Sequence, residues 1–165
     1  MNLKNSFLKH CKINKFDINQ NQIKTIELLE KYHIQNFKKS LLKKIFKKNS
    51  EKLGLYLFGG VGVGKTMILD FFFNNINIKK QRLHFNEFMI NFHNFTHEKK
   101  SKSDENIIDL YVKNLKSRTS LIYFDEFQVT NIVDAMILGK LFEKIFQENI
   151  KIIVTSNTKI SELYK

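Results

Sequence analysis

The chain has 165 residues, 42% hydrophobic and 13% aromatic, with a formal net charge of +12. That is enough apolar material for a domain with a real core, which excludes a disordered chain. No apolar run approaches the ~18 residues that cross a bilayer. The basic start MNLKNSFLKHCKINKFD lacks the apolar stretch of a leader, and the single cysteine, Cys11, excludes an internal disulfide framework and fits a reducing, cytoplasmic compartment.

The charge is carried almost wholly by lysine, with Arg82 and Arg118 the only arginines. Beside the abundant Asn, Ile and Phe, this reads as coding bias. A selected nucleic-acid surface would favour Arg for its bidentate phosphate contacts. A functional basic surface is the alternative.

Residues 1–18 read as a polar, loosely held segment, and 19–52 as a helical N-terminal region. Ile23, Ile26 and Leu29 mark one helical face from Asn19 onward. A second stripe, Ile34, Phe37, Leu41 and Ile45, lies opposite Lys38, Lys39, Lys43, Lys44, Lys47 and Lys48. Such a basic amphipathic helix suits a membrane or DNA surface, but a solvated face packed on its own domain is the simpler reading. A polar break follows at Asn49–Lys52.

From Leu53 to the end the pattern alternates strand and helix. Leu53–Phe58 predicts a short buried strand, and Lys65 to about Asn75 a helix. Arg82–Phe85 predicts a strand, and Glu87–His97 a helix with Phe88, Phe92 and Phe95 inward. After a charged loop, Asp104–Lys116 predicts a helix capped by Ser103, burying Ile107, Ile108, Tyr111 and Leu115. Leu121–Phe124 and Ile150–Thr155 read as strands flanking a helix, Asp134–Glu148, that buries Ile137, Leu138, Leu141 and Ile145. Alternation of this kind implies an α/β fold, a parallel sheet in a three-layer arrangement.

Between the first strand and its helix stands GGVGVGKT, Gly59, Gly60, Val61, Gly62, Val63, Gly64, Lys65 and Thr66, which fits G-x-x-x-x-G-K-[ST]. The chain has 6 glycines, and Gly59, Gly60, Gly62 and Gly64 fall within this loop. Glycine is costly to order, so the clustering needs a reason. A backbone that wraps a phosphate with its N–H groups turned inward supplies one. Lys65 is then placed to reach the β- and γ-phosphates of ATP, and the Thr66 hydroxyl to ligate Mg2+.

LIYFDE, Leu121–Glu126, is an apolar strand ending in two carboxylates, downstream of the loop. Asp125 is expected to hold Mg2+ and Glu126 to orient and polarise the attacking water. KIIVTSN ends in Thr155, Ser156 and Asn157, of which Asn157 fits a sensor of the γ-phosphate. A strand-ending turn is the plainer alternative for Asn157. His93 and His97 have the i, i+4 spacing of a helical zinc site, but Cys11 is remote and no H-E-x-x-H is present, so that signal is weak.

Four stretches together, GLYLFGGVGVGKTMILDFFF, RLHFNEFMINFH, DEFQVTNIVDAMILGKLFEKIF and TSNTKISELY, resemble the ZapE-like cell-division ATPases, bacterial relatives of mitochondrial AAA+-type ATPases. The Walker-type motifs are generic; HFNEFM and DEFQVTNIVDAMIL are more specific. The resemblance implies a P-loop NTPase core of AAA+ type over 53–165 that hydrolyses ATP with Mg2+. It implies action at the division machinery through a septal ring protein or the membrane surface, and it allows a homo-oligomer. A nucleic-acid partner is disfavoured. It carries over the loop, Asp125, Glu126 and Asn157 in the roles above.

Departures from the family pattern are Val63 for Arg, Asn86 for His, Asn131 for Asp, Val133 for Ala, and Lys159 and Ile160 for a proline pair. Relatives also continue past Tyr164, so the last strand, the lid, a second sensor and a trans-acting arginine are expected to be missing. Residues 55–58 would then form a sheet edge. Arg82 and Arg118 look poorly placed to substitute for that arginine. An ATP-binding module without hydrolysis, a gene remnant and a helicase-loader-like DNA-associated ATPase are the competing readings.

Overall fold

A computed structural model describes residues 2–38, 52–99, 104–129 and 132–163, with the backbone alone for 104–106. The chain divides into two compact units, 1–52 with 62–78, and 53–61 with 79–165.

The first unit is helical: α1 (Leu3–Ile13), α2 (Gln20–Phe37) and α3 (Lys65–Asn75). The segment expected to be irregular is therefore a helix over most of its length. Leu3, Phe7 and Cys11 recur at i, i+4 and i+8 and are all buried, and the Asn2 side chain caps the first turn by accepting from Asn5 N–H at 2.9 Å. The stripe escapes notice because its third member is a cysteine, which packs here as a small apolar residue.

The second helix begins behind Asn19 as expected. Asn19 and Gln22 form a capping box, each side chain accepting from the other's backbone N–H at 3.0 Å. It buries Ile26, Leu29 and Tyr32, whereas Ile34 of the expected second stripe is exposed. Leu41, Ile45 and the lysines from Lys39 to Lys48 lie outside the described residues.

The second unit holds a four-stranded, all-parallel sheet in the order β1-β4-β3-β2, from β1 (Gly54–Phe58), β2 (Lys80–His84), β3 (Leu121–Asp125) and β4 (Lys151–Ser156). Three helices accompany it, α4 (Phe85–Glu98), α5 (Asp104–Arg118) and α6 (Ile132–Gln147), followed by a 3₁₀ turn at Ile160–Glu162. The α/β class with a parallel sheet is thus present. Residue 103, the expected cap of α5, lies outside the described residues.

Parallel strands buried on both faces read as continuous apolar runs, and every residue of β3 and β4 is buried. Register pairs Ile122 with Ile152 and Phe124 with Val154, so these four share one face. They join Phe88 and Phe92 of α4, Tyr111 and Leu115 of α5, and Leu141 and Ile145 of α6 in one core. Ile137 and Leu138, expected to be buried, pack against it only in part.

The first strand differs from expectation in burial. It forms one edge of the sheet, its residues are exposed or half-buried, and Phe58 is 56% exposed. An edge strand has one neighbour to share cover with, so the same apolar sequence buries less.

Candidate functional site

Of the loop residues, Gly59, Gly60 and Val61 belong to the second unit and Gly62, Val63, Gly64, Lys65 and Thr66 to the first. Gly59 follows β1 directly, and its N–H donates to the Ser156 carbonyl at 3.2 Å, which fixes the loop's start against the end of β4. Gly62 and Gly64 both have positive φ, 80° and 85°, where a side chain would be strained.

Gly64 is also the N-cap of α3 and brings no capping side chain to its first turn. That is the arrangement of an anion-binding helix start: a backbone turned by glycine, a helix N-terminus, then Lys65 and Thr66 as the first two helical residues. Gln22 closes in from α2, its Nε2 donating to the Val63 carbonyl at 3.1 Å. In the sequence nothing marks Gln22 beyond its place three residues after Asn19, the N3 position of a capping box.

At the carboxyl end of β3, Asp125 and Glu126 part company. Asp125 is 5% exposed and Glu126 is exposed. Glu126 has φ 52°, a left-handed turn that non-glycine residues adopt at a cost of order 1 kcal/mol. The turn is held on both sides of the next residue. Phe127 N–H donates to the Thr155 carbonyl at 2.8 Å, and the Ser156 hydroxyl donates to the Phe127 carbonyl at 2.8 Å. The chain thus keeps one carboxylate in the sheet and turns the other outward.

Both oxygens of the Asp125 carboxylate accept hydrogen bonds. Oδ1 accepts from the Tyr123 hydroxyl at 2.9 Å and the Thr155 hydroxyl at 2.8 Å, and Oδ2 accepts from Arg82 Nη2 at 2.6 Å. Burial alone would raise this carboxyl's pKa, but the hydrogen bonds from Arg82, Thr155 and Tyr123 outweigh it and hold the group below the usual carboxylate range. Burial pushes the Tyr123 phenol well above its ordinary value, so it stays a donor.

An ionised, hard oxygen ligand fits Mg2+, which takes one or two carboxylates and completes its shell with water and phosphate. Among the described residues no group of three or more His, Cys, Asp or Glu side chains gathers into a metal cluster. His93 Nε2 instead lies 2.8 Å from Asp134 Oδ1, tying α4 to α6, and His97 is exposed.

Asn157 stands one residue past β4 and is exposed, while the polar residue of that strand that meets Asp125 is Thr155. Tyr123 was legible as a companion of Asp125, because i and i+2 share a strand face. Arg82 was not. It reaches Asp125 from the neighbouring strand, where it pairs with Tyr123, and that register has no signature in the sequence.

A family model described as AFG1-like ATPase matches residues 8–165. Lactation elevated protein 1 homolog B of Danio rerio is 41% identical over 122 residues, covering 68% of this chain and 24% of that protein. The cell division protein ZapE of Escherichia coli K12 is 38% identical over 119 residues, covering 72% of this chain and 31% of that protein. The chain therefore spans less than a third of the length of these relatives. Among solved structures, domain III of the replication initiation protein DnaA from Thermotoga maritima superposes with a TM-score of 0.59 at 15% identity, covering 91% of this chain and 57% of that one, a likeness of fold.

Proposed function

The chain belongs to the AFG1-like ATPase family, and from that premise we propose that it binds ATP with Mg2+ and hydrolyses it, in the service of cell division. The observation that carries the proposal is the divided pair at the end of β3, a buried Asp125 kept ionised beside an outward-turned Glu126.

In this reading the amides of Gly59–Thr66 cradle the phosphates and Lys65 meets their outer charge. Asp125 and the Thr66 hydroxyl would supply oxygen ligands for Mg2+, which when bound would neutralise charge that develops on the phosphates. Glu126 orients the attacking water and accepts its proton. A carboxylate free of the strand-end hydrogen bonds is suited to that task, because it need not leave a partner to take a proton. Asn157 is assigned to sense the γ-phosphate, and Thr155 holds Asp125 in place.

Association with a division protein rests on the name of the Escherichia coli relative. A cytoplasmic setting is supported by the lone, buried Cys11. Among the described residues no helix is long and apolar enough to cross a membrane.

The test is phosphate release by the 165-residue chain and by Glu126→Gln. The proposal expects the variant to keep binding a nucleotide analogue while its turnover falls by about 10²–10⁴-fold, the usual contribution of a positioned base. Equal, measurable turnover in the two proteins would overturn the role of Glu126, and binding with no turnover by the natural chain would leave a module that binds without hydrolysing.

A further inference from the structure

Asp125 receives two kinds of partner. The Tyr123 and Thr155 hydroxyls are neutral groups of β3 and β4 that converge on Oδ1 and fix the plane of the carboxylate. The Arg82 guanidinium is a full charge from the neighbouring strand, and it takes Oδ2 at 2.6 Å. The two sides of this ion pair differ in exposure, with the Arg82 side chain 38% exposed and that of Asp125 7%. The carboxylate is therefore fixed, whereas the guanidinium has a way out to solvent. In this same position its central carbon lies 5.2 Å from the centroid of the Tyr123 ring, within range of a cation–π contact.

We propose that Arg82 is a latch that a divalent cation must displace from Asp125, so that this arginine sets the cation concentration at which the site loads. The inference rests on the assignment of Asp125 to Mg2+. A buried carboxylate left without a counter-charge is strongly destabilising, which gives the cation-free protein a reason to carry the arginine. A divalent cation at Oδ2 would stand within bonding distance of the oxygen that the guanidinium occupies. Two positive groups at that separation repel, so the cation binds this oxygen best when the guanidinium gives it up. The hydroxyls on Oδ1 need not move, so orientation is kept while the charge partner is exchanged.

Mn2+ is a suitable probe, because its free form is counted directly by electron paramagnetic resonance. The titration is run with and without a non-hydrolysable ATP analogue on the full chain and on Arg82→Gln, Arg82→Lys, Asp125→Asn and the Arg82→Gln/Asp125→Asn pair. The latch predicts that Arg82→Gln lowers the half-saturating Mn2+ concentration by roughly fivefold or more, discounted for the exposure of the arginine. Arg82→Lys, which keeps the charge but loses the planar fork, should shift it in the same direction by less. Asp125→Asn should weaken Mn2+ binding and erase the effect of Arg82→Gln.

Binding that is unchanged or weaker in both arginine variants, with Asp125→Asn still weakening it, overturns the latch and leaves Asp125 as the cation ligand. Binding indifferent to Asp125→Asn overturns the latch together with that assignment.

Discussion

Gln22 and Val63 are joined by a hydrogen bond of 3.1 Å from the side-chain Nε2 to the backbone carbonyl, while Gln22 Oε1 accepts from the N–H of Asn19 at 3.0 Å. One amide thus caps α2 with its oxygen and holds the loop with its nitrogen. Gln22→Glu separates the two, because a carboxylate still accepts from Asn19 but has nothing to donate to Val63. The variant is expected to leave the exchange of α2 amides unchanged and to speed exchange in Gly62–Thr66 by roughly fivefold, the equivalent of one ordinary hydrogen bond. Hydrogen exchange on the nucleotide-free chain reads both at once. Equal loop exchange in the two proteins would show that the contact does not restrain the loop.

The left-handed backbone of Glu126, φ 52°, makes a prediction about stability that is independent of catalysis. Glu126→Gly and Glu126→Ala both remove the carboxylate, but only glycine adopts this conformation without strain. The glycine variant should be about 1 kcal/mol more stable than the alanine variant, seen as a Tm about 2–4 °C higher in a chain of this size. Equal melting temperatures would mean that the turn relaxes when the side chain is removed.

Asp125 makes stability depend on pH in the acid range. Its folded-state pKa lies below the ordinary value of 3.8, because the bonds from Arg82, Thr155 and Tyr123 exceed the opposing effect of burial. The unfolded chain therefore takes up the proton first as pH falls. The stabilisation is fully present above the unfolded value and is lost as pH drops toward the folded one. Denaturant titrations between about pH 5 and pH 2 should show a steeper loss for the natural chain than for Asp125→Asn, whose amide does not titrate there. Parallel curves would contradict the ionised, triply bonded carboxylate.

Much of this architecture was readable from residue pattern because the signals are local. The helix of Lys65–Asn75 has the expected bounds, since the glycine loop fixes where it starts. The buried strands β3 and β4 carry the apolar runs LIYF and IIV, and they lie within a residue of their predicted bounds. Two local features were misread. In α1, Cys11 conceals the stripe begun by Leu3 and Phe7. In β1, the run LGLYLF looks like a core strand, although neighbours that the run cannot reveal decide its burial.

At the site, the residue types that do chemistry were visible and their partners were not. Thr155 bonds Asp125 only because β4 lies beside β3, and Arg82 does so only because β2 lies on the other side. Both are consequences of strand order and register. Arg82, one of two arginines in a lysine-rich chain, bonds Asp125 directly.

The most direct test of the proposed nucleotide site is binding of a fluorescent ATP analogue with Mg2+ to the purified 165-residue chain, measured beside Lys65→Ala. The account predicts saturable binding by the natural chain that Lys65→Ala abolishes, because the lysine supplies the charge that faces the outer phosphates. Binding of equal strength in a folded Lys65→Ala protein, or none by a folded natural chain, would contradict it.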